Sequence, residues 1–219
     1  MIPAIFAAVV VELFTSQGCS SCPPADALLH ELRKDSNVIA IAYHVDYWNY
    51  LGWRDPFSSH DWTARQMMYQ RAFNLGSSYT PQIVVNGSRQ MVGSNDAQVR
   101  DAIDEASHLG SVATVNVSID HGDAVVRTNA PRAGLQLIVV TTEDGVVTKI
   151  ERGENRGLTI TNDSIARKLT RIPNVNAGAT THKVATELQR GTVVAMLQDP
   201  STLRIVAASA ARITVSSQP

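Results

Sequence analysis

The pattern of apolar positions in the first half of the chain predicts alternating strands and helices. A largely apolar run at residues 8–14 and an unbroken one at 38–43 are typical of buried strands in a parallel sheet. Between them, residues 23–34 have apolar side chains at helical spacing, which predicts a helix with one buried face. The other predicted elements here are a helix at 62–75, strands at 82–85 and 89–92 joined by Asn86-Gly87, and a helix capped by Ser94 or Asp96 that reaches about His108.

The second half of the chain predicts many short strands. Apolar and polar residues alternate with period two at residues 114–119 and 124–128, with His121-Gly122-Asp123 as the turn between them. A second hairpin is predicted around Glu143-Asp144-Gly145, and one short helix at about 163–169. The other predicted strands are at residues 135–142, 146–151, 181–188, 192–198 and 204–215.

The distribution of aromatic residues divides the chain in two. All 12 aromatic residues lie at or before Tyr79, and none follows Gly110. We therefore predict two domains, residues 1–109 and residues 110–219. The first has the order β-α-β-α-β-β-α, which is the thioredoxin arrangement, and the second is typical of an antiparallel sandwich. The predicted fold class is α+β or α/β, with a thioredoxin-like N-terminal domain and a β-rich C-terminal domain.

Composition excludes several classes of protein. Of the 219 residues, 44% are hydrophobic and 18% are charged, which excludes a disordered chain. The net charge of −1 is not that of a protein that binds nucleic acid or an anionic membrane surface. No apolar run reaches the length of a transmembrane helix. The apolar stretch 2–11 lacks the basic start of a secretory leader, so we expect a buried first strand there.

The two cysteines, Cys19 and Cys22, form a CxxC motif between the first predicted strand and the first predicted helix. Two residues three apart at a helix start are close enough to form a disulfide and to open it with little backbone movement. The partial positive charge of a helix N-terminus also favours a thiolate. We predict Cys19 as the outer nucleophile and Cys22 as the inner, resolving thiol.

Two prolines set where the helix begins, and a zinc site or an inert disulfide would be other roles for the two cysteines. Pro23 and Pro24 place the helix start at Pro23, with Ser21 or Cys22 as the cap, so that Cys19 lies just outside the helix. A structural zinc site would need four ligands, and the sequence has neither a second CxxC motif nor paired histidines at ligand spacing. An inert structural disulfide remains an alternative to a redox-active pair.

Three ionisable side chains are predicted to support the cysteines. His44 and Asp46 follow the second predicted strand, which ends at the same edge as Cys19 if the two strands are parallel neighbours. Either could relay protons during exchange, and His44 with two thiolates could instead bind copper. Asp26, four residues after Cys22, could act as its base. The alternatives are a hydrogen-bonded histidine at a strand end, and an acidic residue that complements a helix N-terminus.

A proline and an aromatic segment complete the candidate site. In the predicted fold a cis-proline at Pro81 would face the dithiol, keep metals off the thiolates and present backbone to a peptide, with Thr80 beside it. The alternative is a trans proline that opens an edge strand. Seven of the 12 aromatic residues lie within residues 43–62. Trp48 and Trp53 are predicted as a substrate platform, unless these rings form the core of a folded loop.

The segment Thr15-Ser16-Gln17-Gly18-Cys19-Ser20-Ser21-Cys22-Pro23-Pro24-Ala25-Asp26 resembles the signature of a bacterial family of thioredoxin-like proteins. This family is catalogued as a domain of unknown function, and its members are often described as secreted. Residues 44–48, 51–57, 79–82 and 152–155 resemble its later blocks, so the resemblance covers nearly the whole chain. It implies a thioredoxin fold, redox activity, and a periplasmic or secreted location.

These observations support one leading hypothesis and two alternatives. The leading hypothesis is a thiol-disulfide oxidoreductase in which Cys19 attacks a substrate disulfide and Cys22 resolves the mixed disulfide, with Pro81 as the third catalytic residue. Its partners would be protein or small-molecule thiols and disulfides, and it needs neither a cofactor nor a metal. The alternatives are a copper-binding protein or metallochaperone that uses the cysteines and His44, and a non-catalytic peptide-binding module that uses the aromatic segment.

Overall fold

Strands form most of the secondary structure in the computed structural model, which describes residues 8–213. The start of the apolar stretch 2–11 and the end of the predicted strand 204–215 lie outside these residues. The strands are β1 (Val9–Thr15), β2 (Val38–His44), β3 (Gln82–Val85), β4 (Arg89–Val92), β5 (Thr114–Asp120), β6 (Asp123–Ala130), β7 (Leu135–Glu143), β8 (Val146–Lys149), β9 (Thr159–Asn162), β10 (Ile165–Val175), β11 (Gly178–Ala185), β12 (Gly191–Gln198) and β13 (Ile205–Ile213).

The α-helices within residues 8–213 are α1 (Pro23–Leu32), α2 (His60–Ala72) and α3 (Asp96–Ser107). The second begins two residues before its predicted start, because the Ser59 hydroxyl accepts a hydrogen bond from the backbone N–H of Asp61. The third is capped by Asn95 rather than by Ser94 or Asp96. None of these helices has the length and apolar character that crossing a bilayer requires.

Eight of the strands form one mixed sheet in the order β13-β12-β7-β10-β2-β1-β3-β4. Strands β1 and β2 are parallel and their register pairs Thr15 with His44, so both strands end at the same edge of the sheet. Strand β3 is antiparallel to β1, and β10 joins the other side of β2 through Ile165 and Ala42. The residues that follow β1 and β2 therefore meet at one edge.

The predicted fold class is wrong. The first-half strands do not form a thioredoxin-like domain beside a separate sandwich, because four strands from each half share the single sheet. The free edge of β2 would leave backbone groups unpaired, and the second half supplies a partner: Ala42 N–H donates to the Ser164 carbonyl at 2.8 Å. Pairing between such distant segments leaves no trace in local apolar patterns. The division between residues 109 and 110 falls between α3 and β5, and stays a prediction.

Two local predictions for the second half are also wrong. Residues 163–169 do not form a helix, because β10 begins at Ile165, and the spacing of Ile165, Leu169 and Ile172 on this strand only resembles a helical face. Irregularities in the register of β10 against β7 interrupt the alternation expected of a strand, and this explains the error. The hairpin predicted around Glu143-Asp144-Gly145 is absent from the described residues, because β8 pairs with β9 while β7 pairs with β10 and β12.

Apolar residues pack on both faces of the sheet. Helices α1 and α3 cover one face through residues that include Leu29 and Val99, and α2 covers the other through Trp62 and Tyr69. The smaller sheet of β11, β6 and β5 packs on the part of the large sheet that holds β7 and β12. Strand β1 is buried along its whole length, so the segment that follows it starts from a fixed position.

Candidate functional site

Cys19 and Cys22 form a disulfide at the start of α1, with their Cα atoms 5.4 Å apart. Cys22 occupies the N-cap position and Pro23 opens the helix, where its missing N–H leaves no donor unsatisfied. Cys19 is 2% exposed and Cys22 is 0% exposed, whereas Ser20 and Ser21 are exposed. The pair is thus able to form the bond that redox exchange requires, within a turn whose two middle residues face solvent.

Thr80 contacts the sulfur of Cys19. Its hydroxyl donates a hydrogen bond to Cys19 Sγ at 3.2 Å, and it accepts one at 2.8 Å from the indole N–H of Trp48. Because an indole N–H can only donate, the Thr80 proton stays available to the sulfur. The peptide bond between Thr80 and Pro81 is cis. If this contact persists in the reduced protein, we expect the same hydroxyl to stabilise a Cys19 thiolate.

Replacing Thr80 by valine should make Cys19 of the reduced protein less reactive. We expect iodoacetamide to alkylate Cys19 of Thr80→Val about tenfold more slowly at pH 7, because a hydrogen bond to a charged group contributes about 1.5–3 kcal/mol. Mass spectrometry of quenched samples measures the rate. Thr141→Val is the control, since it removes a buried hydroxyl that has no hydrogen-bond partner among residues 8–213. Equal rates in all three chains would show that Thr80 does not influence Cys19.

Asp26 lies on α1, one turn after Cys22, and its carboxylate accepts a hydrogen bond from the Thr15 hydroxyl at 2.8 Å. Burial raises the pKa of Asp26 to about 6, although the nearby charge of His44 and the bond from Thr15 lower it. An acid with such a pKa can both take up and release a proton near neutral pH. The role of Asp26 as a base for Cys22 stays a prediction.

His44 ends β2 and is buried against Asp55, with His44 Nδ1 2.7 Å from the carboxylate. Burial alone would lower the pKa of His44, but the negative charges of Asp55 and Asp26 raise it above its usual value. Burial would also raise the pKa of Asp55, yet His44 and the backbone N–H groups of Gln17 and Phe57 lower it. The result is an ion pair that ties the aromatic segment to the turn after β1. The sequence offers no sign that Asp55 is buried.

Asp46, predicted as a second candidate at the end of β2, contacts α2. Its carboxylate accepts a hydrogen bond from the Thr63 hydroxyl, and its backbone N–H donates to the same hydroxyl at 3.1 Å. His60 Nδ1 lies 3.6 Å from the same carboxylate. These contacts stabilise the first turn of α2, and a proton-relay role for Asp46 stays a prediction.

The two tryptophans predicted as a substrate platform are half-buried and use their N–H groups inside the protein. Trp48 donates to Thr80, and Trp53 Nε1 donates to Gln17 Oε1 at 3.0 Å. Tyr50, by contrast, is 77% exposed. The tryptophans therefore position residues around Cys19, and their service as a platform stays a prediction.

Gln66 is a residue of this region that sequence analysis did not single out. It is fully buried on α2, and its Nε2 group donates to the Tyr79 carbonyl at 2.7 Å and to Gln82 Oε1 at 3.0 Å. These bonds hold the chain on both sides of the cis peptide bond. A signal was present in the sequence, because Gln66 follows Trp62 by four residues and precedes Tyr69 by three. That spacing puts a polar side chain on a buried helix face, where it needs partners.

A turn from the second half of the chain also reaches the cysteines. The Asn155 amide donates to the backbone carbonyls of Gln17 and Cys19, both at 2.9 Å, and Asn155 is 5% exposed. The carboxylate of Glu154 accepts a hydrogen bond from the backbone N–H of Ser20 at 3.1 Å. Sequence analysis assigned no role to either residue, because the local pattern does not show that this turn lies against the CxxC motif.

The profile of a family described as "Protein of unknown function (DUF1223)" matches residues 10–198. The chain belongs to this family. The predicted membership of a family of unknown function is thereby confirmed, while the secreted location of this DUF1223 protein stays a prediction. A comparison with curated proteins gives no match.

Two solved structures are similar to the DUF1223 protein. A crystal structure of a protein from Agrobacterium tumefaciens is 26% identical, with a TM-score of 0.81, and the match covers 97% of this chain and 96% of that one. HBP35 of Porphyromonas gingivalis is 13% identical, with a TM-score of 0.64 and coverage of 97% and 77%. The first match extends over both halves of the chain, and the second shows a shared fold alone.

Proposed function

We propose that this DUF1223 protein is a thiol-disulfide oxidoreductase that works through Cys19 and Cys22. The observation that carries the proposal is the set of groups around the disulfide. The Thr80 hydroxyl donates to the Cys19 sulfur, and Asp26, with a pKa of about 6, follows Cys22 by one helical turn. The first group would stabilise the Cys19 thiolate and the second would take a proton from Cys22. A disulfide that only holds a fold together needs neither.

Exchange proceeds in two balanced steps. The Cys19 thiolate of the reduced protein attacks a substrate disulfide, whose S–S bond breaks as a mixed disulfide forms and one substrate sulfur leaves as a thiolate. Cys22, having given its proton to Asp26, then attacks Cys19 Sγ and releases the second substrate thiolate. Two electrons have passed to the substrate, whose two thiolates take up protons, one of them released by the Cys22 thiol through Asp26. The reverse sequence oxidises a substrate dithiol, and a low-molecular-weight thiol couple such as glutathione restores the starting form.

The 2% exposure of Cys19 sets a condition on this exchange. An attacking sulfur has to approach Cys19 Sγ along the axis of the bond that breaks, so the groups that cover Cys19 must first move aside. A small thiol or a flexible peptide segment needs a smaller movement than a folded protein surface does. Among the predicted partners, the proposal therefore favours small-molecule thiols and flexible protein segments. It requires no bound cofactor, and it includes a periplasmic or secreted location, where disulfides persist.

Replacing Cys22 by serine should trap a mixed disulfide at Cys19. Cys19 of the reduced variant still attacks oxidised glutathione, but no second thiol resolves the product. Intact-mass spectrometry should show one glutathione per chain, stable until dithiothreitol is added. Cys19→Ser is the matched control, and we expect about tenfold less adduct on it because the Thr80 hydroxyl, which would stabilise the attacking thiolate, donates to Cys19 Sγ.

Reduction of the unchanged chain by dithiothreitol distinguishes a redox-active disulfide from an inert one. Dithiothreitol should open the Cys19–Cys22 bond at pH 7 while the circular dichroism spectrum of the folded protein persists. A bond that opens only after urea unfolds the chain, together with no adduct on Cys22→Ser, would establish the inert structural disulfide and end the proposal.

The two alternative functions have less support. No group of three His, Cys, Asp or Glu side chains within residues 8–213 is arranged to hold a metal ion, and His44 Nδ1 is already paired with Asp55. The peptide-binding hypothesis relies on Trp48 and Trp53, whose N–H groups both bond within the protein.

A further inference from the structure

The turn between β8 and β9, residues 150–158, is a folded unit that lies against the CxxC motif, and we call it the clasp. Its ends are joined by hydrogen bonds from Ile150 N–H to the Leu158 carbonyl at 2.9 Å and from Gly157 N–H to the Ile150 carbonyl at 2.8 Å. Ile150 is fully buried. Gly153 has a φ of +76°, and a Cβ there would lie 3.1 Å from Trp53 Cβ. The clasp therefore has a fixed shape and a close fit to the first half of the chain.

Three hydrogen bonds join the clasp to the segment that carries Cys19. Asn155 donates both amide protons, one to the Gln17 carbonyl and one to the Cys19 carbonyl, each at 2.9 Å. Glu154 accepts a hydrogen bond from the backbone N–H of Ser20 at 3.1 Å. All three bonds fall on the Cys19 side of the disulfide.

Cys22 is held by a different element. Its carbonyl accepts hydrogen bonds from the backbone N–H groups of Ala25 at 2.9 Å and Asp26 at 3.1 Å, which makes Cys22 part of the first turn of α1. When a disulfide is reduced, the two sulfurs separate to van der Waals distance, which requires a small movement of the turn between them. Because α1 holds Cys22, this displacement falls on the side that Asn155 holds.

We propose that Asn155, together with Glu154, is a positioning residue of the dithiol site. The clasp holds Cys19 in the position of the disulfide form and so favours the disulfide over the dithiol. The Glu154 carboxylate acts in the same direction, because it binds the N–H of the residue next to Cys19 and its negative charge disfavours a thiolate there. This inference rests on the proposed function, and it gives the second half of the chain a part in setting the redox equilibrium.

Replacing Asn155 by alanine should shift the equilibrium with glutathione toward the dithiol. In this reaction one protein disulfide and two reduced glutathiones give one protein dithiol and one oxidised glutathione. We expect the equilibrium constant of Asn155→Ala to be about fivefold larger than that of the unchanged chain, which corresponds to the loss of about one net hydrogen bond. The reduced fraction is measured over a series of glutathione ratios, by acid quenching, alkylation and mass spectrometry.

Asn162→Ala is the matched control for hairpin stability. Asn162 is 4% exposed, lies on β9 of the same hairpin, and donates its amide to the carbonyls of Val146 at 3.2 Å and Ile160 at 3.4 Å. Its loss removes a buried asparagine with two backbone bonds, but none to the cysteine turn. The equilibrium constant should match that of the unchanged chain. An equal shift in Asn162→Ala and Asn155→Ala would mean that hairpin stability is the cause, and would overturn the proposal.

Glu154→Ala changes an exposed residue of the clasp, so we expect this variant to fold. It therefore tests the clasp proposal even if Asn155→Ala does not fold. We expect an increase of about twofold, since exposed charged contacts contribute little, and no change in Glu151→Ala, which removes an exposed carboxylate from the same turn. Constants equal to that of the unchanged chain in Asn155→Ala and Glu154→Ala would refute the clasp proposal and leave the proposed function standing. Failure of the unchanged chain to equilibrate at any glutathione ratio would refute both.

Discussion

Asp26→Asn should raise the free energy of unfolding at pH 8 by about 2–3 kcal/mol, because each unit of pKa shift corresponds to about 1.4 kcal/mol. The pKa of Asp26 is raised from 3.8 to about 6, mainly by burial. Between these values the folded protein binds more protons than the unfolded chain, so folding stability falls as the pH rises through this range and stays lower above it. Asparagine carries no charge to bury, and its side-chain oxygen can still accept the Thr15 hydrogen bond.

Urea unfolding of the oxidised protein at pH 3.5 and pH 8 measures this effect. The gain should be present at pH 8 and nearly absent at pH 3.5, where Asp26 is protonated in the folded protein and mostly protonated in the unfolded chain. Asp101→Asn, an exposed change on α3, should leave the stability unchanged at both pH values. If Asp26 is also the base for Cys22, the stabilised variant should exchange disulfides more slowly at pH 7. A gain of equal size at both pH values would show that the charge of Asp26 is not its cause.

Arg65→Met should lower the free energy of unfolding by about 3–5 kcal/mol, the range for removing one partner of a buried ion pair. Arg65 and Glu12 are 1% and 0% exposed, and Arg65 Nη2 lies 2.6 Å from the carboxylate. The Tyr69 hydroxyl donates to the same carboxylate, and the guanidinium also lies over the rings of Tyr43 and Tyr69. Without the guanidinium, the Glu12 charge is left in the core between β1 and α2.

The double variant Glu12→Gln with Arg65→Met separates charge burial from lost packing. It should regain part of the stability, because the buried carboxylate is then gone. Arg89→Met removes the arginine of an exposed pair with Glu105, and should have little effect. All variants are compared by urea unfolding at pH 7. A loss in Arg65→Met no larger than that in Arg89→Met would show that the buried pair does not stabilise the fold.

The elements that could be predicted are those whose signals are local. Strands β3 and β4 have their predicted bounds, because the Asn86-Gly87 turn between them depends only on two residues that adopt positive φ, +45° and +62°. Helix α1 follows from the spacing of its buried leucines. The helix predicted at residues 163–169 is wrong because irregularities in the register of β10 against β7 shift apolar residues out of the two-residue period.

The candidate site shows the same division. The spacing of Cys19 and Cys22 was sufficient to predict that they can form a disulfide. A separation of three residues at the start of a helix brings the two side chains close together. Asp55 and Asn155 could not be predicted, because their roles depend on contacts with the turn after β1 that are made by remote segments. The role of a buried polar residue depends on its hydrogen-bond partners, and the partners of Asp55 and Asn155 in the turn after β1 are distant from them in the sequence.

The amino-acid sequence by itself determined the buried strands of the first half, where α1 begins, and that two sulfurs stand at its start. Spacing, capping and apolar periodicity act over a few residues, so they can be derived without the fold. Only the tertiary structure decided that strands of both halves share one sheet, that burial raises the pKa of Asp26, and that Asn155 holds the Cys19 carbonyl. Edge pairing, desolvation and long-range hydrogen bonds depend on which distant segments meet, and packing of the whole chain selects them.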